Sequence, residues 1–184
     1  MLVLRIIHPC YHMEATLDTV PRTPCLVVDL DVVDRNTARM LERAERLGCT
    51  LRPHVKTHKT VEVALMQTGG RRSKIVVSTL AEARFFAAGG FDDILYAVPI
   101  SPDKLEEADA LARQLGTFHV MVDSRAGLEA LEAYTERTRG GGGQEEGGAG
   151  DVGEGGEGKV AGEKAEAVVW SVFVMVDCGY HRDG

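Results

Sequence analysis

The run Arg52-Pro53-His54-Val55-Lys56-Thr57-His58-Lys59 puts five basic or imidazole side chains into eight residues, with a lysine near its centre. A lysine crowded by other cations is disfavoured in its charged form, and a neutral amine attacks an aldehyde to give a Schiff base. If residues 50–56 are extended, successive side chains alternate between two faces. Leu51, Pro53 and Val55 then share one face, and Arg52, His54 and Lys56 share the other. Three basic groups on an inward face are costly unless they are paired or bind an anion. Pro53 fits a central strand poorly, which predicts a bulge or a shortened strand. The same residue types also suit a solvated basic turn with Arg52 and Lys59 in ordinary ion pairs. Spacing alone leaves both readings open.

Other polar groups fall at equivalent places, just after runs that read as strands. Thr79-Leu80-Ala81-Glu82 has the spacing of a capping box, and Asp123-Ser124 reads as a helix cap. His119 alternates with apolar neighbours and reads as a satisfied core histidine. Tyr180, His181 and Arg182 lie on a glycine-flanked stretch, where ligand contact and plain solvation are both open.

The elements that must position these groups follow from periodicity. Residues 25–30 (CLVVDL), 50–55, 74–78 (KIVVS), 93–98 (DILYAV), 118–122 and 168–177 (VVWSVFVMVD) read as six strands. Residues 31–47, 59–67, 80–88, 102–115 and 124–137 read as helices, several closed by glycine, with Ser101 as the cap of the fourth. Strict alternation of strand and helix implies a parallel sheet with helices outside, either a barrel or a doubly wound sheet. A complete eight-stranded barrel needs about 250 residues, so this chain is expected to form a truncated one. In a parallel barrel all strand ends share one rim, and Lys56 and Arg182 would converge there.

The bulk properties exclude several classes. The chain has 184 residues, of which 44% are hydrophobic and 27% charged, as in soluble globular domains. A net charge of −7 argues against a nucleic-acid partner. No apolar run approaches the roughly 20 residues that a membrane span requires. Cys10, Cys25, Cys49 and Cys178 form no C-x-x-C pair, which suits reduced thiols and a cytoplasmic location. Residues 1–22 are expected to be an unstructured extension. Residues 139–167, rich in Gly and Glu, are expected to be a disordered insertion; no Gly-Lys-Ser/Thr follows them to make a phosphate cradle. Residues 23–184 otherwise form one expected barrel domain.

Four stretches carry a resemblance: RPHVKTHKT at 52–60, TPCLVVDLDVVDRN at 23–36, STLAEA at 78–83 and VDCGYHRDG at 176–184. Together they resemble the D-serine dehydratase and D-threonine aldolase family, which shares the alanine-racemase-type (β/α)8 barrel. The resemblance implies that Lys56 holds pyridoxal phosphate as a Schiff base, with Arg182 near the cofactor's phenolic oxygen and His54 lining the pocket. It implies a lyase acting on a small D-amino acid, foremost D-serine to pyruvate and ammonia, in a homodimer when full length. D-threonine aldolase, an amino-acid racemase, a non-catalytic pyridoxal-phosphate carrier and an inert truncated product are the other readings. Family members also use zinc held by a C-terminal β domain, which is expected to be absent here, so no zinc ligand is assigned in this chain.

Overall fold

In the computed structural model, residues 28–140 and 168–181 are described, together with the backbone of two short strands near the start. Those strands, β1 (Leu4–His8) and β2 (Tyr11–Ala15), pair antiparallel within the segment expected to be unstructured. The pairing is local, and the branched Ile6 and Ile7 favour extended backbone. Of the first expected strand, residues 25–27 lie outside the described residues.

Helix α1 (Leu30–Arg46) starts where the Asp29 carboxylate accepts the Val32 N–H at 3.0 Å. Helix α2 (Val61–Gln67) follows, and then strand β3 (Ile75–Val77). Helix α3 (Leu80–Ala88) begins with the expected cap: Thr79 Oγ1 accepts the Glu82 N–H at 3.0 Å. The Glu82 carboxylate bends back to accept the Ser78 N–H at 2.7 Å. Thr79→Ala should therefore cost about 1 kcal/mol, read as a lowered urea midpoint. An unchanged midpoint would show that the cap contributes nothing.

Next come strand β4 (Asp93–Pro99), helix α4 (Leu105–Gln114), strand β5 (Thr117–Val122), helix α5 (Arg125–Gly140) and strand β6 (Ser171–Val174). Ser101 does not cap α4 with its side chain; Pro102–Lys104 form a 3-10 turn first. Gly127 N–H donates to Ser124 Oγ at 3.3 Å, so the hydroxyl expected to cap α5 does so. Helix α5 runs to Gly140, so residues 139 and 140, counted in the expected insertion, are helical; residues 141–167 lie outside the described residues.

The sheet runs β3-β4-β5-β6, all parallel and in chain order. His54 adds one parallel bridge to Val76, at the outer side of β3. Here the expected second strand shrinks to a single rung. Val55 N–H donates to Val76 O and Val76 N–H to Pro53 O, both at 2.9 Å. The preceding rung would need an N–H from residue 53, and proline has none.

Core residues lie on one face of the sheet: Val55, Ile75, Val77, Ile94, Tyr96, Phe118, Val120 and Val122 pack against α2, α3, α4 and α5. Burial along β5 alternates in step, with Phe118, Val120 and Val122 buried and the residues between them partly open. Packing is tight where α2 meets α3. A Cβ on Gly89 would lie 2.7 Å from Val61 Cγ2, so a side chain there would force Val61 to move. Sequential parallel strands with α2 to α5 packed on one face never reverse order, as in a barrel wall and unlike a doubly wound sheet. Among the described residues no helix is long and apolar enough to cross a membrane, and Cys49 and Cys178 are free and exposed.

Candidate active site

The second face of the sheet carries the polar groups. His54, Val76, Leu95, His119 and Ser171 stand side by side in register across it. Arg52, just upstream of His54, reaches Asp93 with both guanidinium nitrogens, at 2.5 and 3.1 Å. His119 Nε2 is 3.1 Å from the same carboxylate, and its Nδ1 is 2.7 Å from Ser171 Oγ. His119 is thus satisfied, as the alternation suggested, but it sits opposite the apolar core. Burial lowers its pKa, Arg52 adds to the effect, and Asp93 opposes them.

Lys56 stands at the other end of the strands, where they hand over to their loops. It opens the turn over residues 56–58 and is exposed. Val55, fully buried, anchors the turn through both backbone groups: its N–H bonds Val76 and its carbonyl accepts the Lys59 N–H at 2.9 Å. His54 is the nearest side-chain partner. Its Nδ1 accepts the Lys56 N–H at 3.4 Å, which leaves the ring hydrogen on Nε2 for Ser78 Oγ at 3.2 Å. Burial lowers the His54 pKa, and the Lys56 cation lowers it further, against the pull of Glu82. Lys59 Nζ pairs with Glu82 Oε1 at 3.0 Å. Burial pushes the Glu82 carboxyl up, but the Ser78 N–H and Lys59 outweigh it and hold its pKa below the ordinary value.

Two expectations need correction. The neighbouring cations expected to crowd Lys56 are engaged elsewhere: Arg52 is spent on Asp93, Lys59 on Glu82, and His54 is held toward its neutral form. The alternation rule also ends at His54, because Lys56 already belongs to a turn. The ion pairs of the plainer reading of this segment are therefore present, around a lysine that stays exposed. Arg182 lies outside the described residues. A cleft of about 650 Å3, lined in part by Glu42, Glu45, Arg71 and Lys74, opens at the strand starts, away from the Lys56 rim.

Residues 28–184 match the family described as alanine racemase, N-terminal domain. The chain belongs to this family. It is 35% identical over 167 residues to the D-serine dehydratase of Dictyostelium discoideum, covering 88% of this chain and 36% of that one. It is 47% identical over 122 residues to the D-threo-3-hydroxyaspartate dehydratase of Delftia sp. (strain HT23), covering 66% and 32%. The solved structure of that Delftia enzyme superimposes with a TM-score of 0.56 at 46% identity, covering 60% of this chain and 29% of that one. A D-threonine aldolase from Filomicrobium marinum gives a TM-score of 0.65 at 24% identity, covering 89% and 37%, a likeness of fold alone. The chain spans about a third of the length of these relatives.

In this racemase-type barrel wall, the sequence motif brings together Lys56, His54 and their turn. It gave no sign that Ser78 partners His54, or that Asp93 and Ser171 complete the network of Arg52 and His119. An aspartate opening the strand run DILYAV was the one available hint.

Proposed function

We propose that this chain carries the cofactor lysine of a pyridoxal-phosphate-dependent lyase acting on D-amino acids, foremost a D-serine dehydratase yielding pyruvate and ammonia. The observation that carries this reading is Lys56: an exposed primary amine on an anchored turn at the strand-end rim, in a chain similar to named D-serine dehydratases. Barrel active sites are built at that rim.

The described residues fit the cofactor in two respects. An exposed amine suits covalent attachment to an aldehyde, and a neutral His54 beside it adds no competing cation. Lys56 would hold the group and His54 would flank it, with Arg182 proposed as a further contact. Bound pyridoxal phosphate supplies an electron sink for the substrate's Cα. Lys56 Nζ is the proposed base for the Cα proton, and the Val55 anchor keeps it at the rim. Zinc does not fit the described residues: among them no three His, Cys, Asp or Glu side chains gather to hold a metal. No step is assigned to it. The whole enzyme is proposed to be a cytoplasmic homodimer.

Relatives named aldolases favour a second reading, D-threonine aldolase. The full-length protein supplied with pyridoxal phosphate should release pyruvate from D-serine. Glycine and acetaldehyde from D-threonine, without pyruvate from D-serine, would decide for the aldolase. Retained cofactor absorbance with no turnover of either would point to a carrier.

A further inference from the structure

We propose that His58 is a positioning residue for Lys56, its ring tying the lysine turn to both ends of α2. The inference rests on the reading of Lys56 given above and assigns the second half of the motif a task of its own. The turn over residues 56–58 is closed by one backbone bond, from the Lys59 N–H to the Val55 carbonyl. That bond uses Lys59, whose φ of +52 lies in the left-handed region that L side chains disfavour. Helix α2 has seven residues, too few to be stable alone, and its cap residue Thr60 makes no side-chain bond to the helix start.

His58 adds a tie to both. Its Nδ1 accepts the Thr60 N–H at 3.1 Å, with Thr60 Oγ1 also at 3.2 Å. An Nδ1 that accepts carries no hydrogen, so the ring hydrogen is on Nε2 and is donated to Gln67 Oε1 at 3.0 Å. Thr60 precedes the first residue of α2 and Gln67 is its last. One half-buried ring therefore spans the helix and fixes the turn against it. Burial lowers the His58 pKa while its two partners oppose that shift, in keeping with a neutral ring. The Lys59–Glu82 pair holds the turn from the side of α3. Both ring nitrogens are engaged, so His58 acts through the turn and does no chemistry itself. A lysine whose backbone is already ordered loses less freedom when it captures a ligand.

The test uses the full-length protein, first without cofactor and then with pyridoxal phosphate. In His58→Phe, amide exchange at Lys59 and Thr60 should rise, and the cofactor dissociation constant should increase about tenfold, as two ordinary hydrogen bonds predict. His58→Asn should restore protection of Thr60 and most of the affinity, since an Asn side-chain oxygen bonds the N–H two residues on. If His58→Phe does not fold, Gln67→Met removes only the Nε2 partner and should loosen the cofactor about threefold. Unchanged exchange at both amides overturns the proposal. Raised exchange with unchanged affinity also overturns it, because His58 would then be structural only. Lys56→Ala separates the two ideas: if it still traps cofactor, the reading of Lys56 fails, while the cofactor-free exchange data still judge the His58 clamp.

Discussion

Lys56→Ala should abolish all borohydride-trappable cofactor while leaving the fold intact. Borohydride reduces a carbon–nitrogen double bond to a stable single bond, so only a primary amine in imine linkage retains the label. Two lysines, Lys56 and Lys59, lie on the motif turn, and their environments differ. Lys59 Nζ is 3.0 Å from Glu82 Oε1, and leaving that carboxylate would strand it largely buried. Lys56 is exposed, so truncating it should change stability by no more than about 0.5 kcal/mol. The expected result is complete loss of label in Lys56→Ala and retained label in Lys59→Ala, read by mass spectrometry of the reduced protein. Label persisting in Lys56→Ala would show that another amine holds the cofactor. Label lost in both variants would show that the turn, once released from Glu82, no longer presents its lysine.

The ease of reading this chain differs by level. Some helix ends were legible because they are local: Thr79 caps within three residues, and Gly89 closes α3 where a side chain would strike Val61. The start of α1 was not, since Asp29, read as part of a strand, caps it. The alternation of β5 was legible for the same reason, and strand–helix order was enough to give a parallel sheet. Pro53 announced its own disturbance, although the extent of it, one rung in place of a strand, depends on how the segment is registered against β3. That is a property of register between strands, and a single sequence does not carry it.

The site was legible only in part, for a related reason. A motif within eight residues identifies Lys56 and its neighbours, but it also invites adding their charges together. Arg52, Lys59 and His58 instead each find a partner from a different element: Asp93 from β4, Glu82 from α3, Gln67 from α2. Those partners are 23 to 41 residues away for Lys59 and Arg52, so crowding inferred along the chain is undone across it. What survives is the exposed lysine at the rim.

The Arg52–Asp93–His119 group allows the second large prediction. Arg52 and Asp93 side chains keep only 21% and 17% of their accessible surface, so removing one charge leaves the other largely out of water. Breaking a fully buried pair costs 3–5 kcal/mol; with this residual exposure, Asp93→Asn should lower stability by about 2–3 kcal/mol at neutral pH. Burial pushes the Asp93 carboxyl up, but Arg52 and His119 outweigh it, so its folded pKa lies below the ordinary value. Its contribution is then complete above the unfolded pKa of about 4 and lost as pH falls through the lower folded value. His119, His54 and His58 are also lowered, chiefly by burial. For these bases the unfolded chain binds protons at about pH 6.5 that the folded chain refuses until lower pH, so stability falls with acid across that window. Wild-type protein should thus lose stability in two stages, the histidine stage first and the carboxylate stage after it. Asp93→Asn should shrink the second stage and deepen the first, since His119 loses the one group that raises its pKa. Urea unfolding measured between about pH 3 and 8 would separate the stages. A variant as stable as wild type at neutral pH, or one with the same acid slope below about pH 4, would mean that Arg52 finds its counter-charge elsewhere.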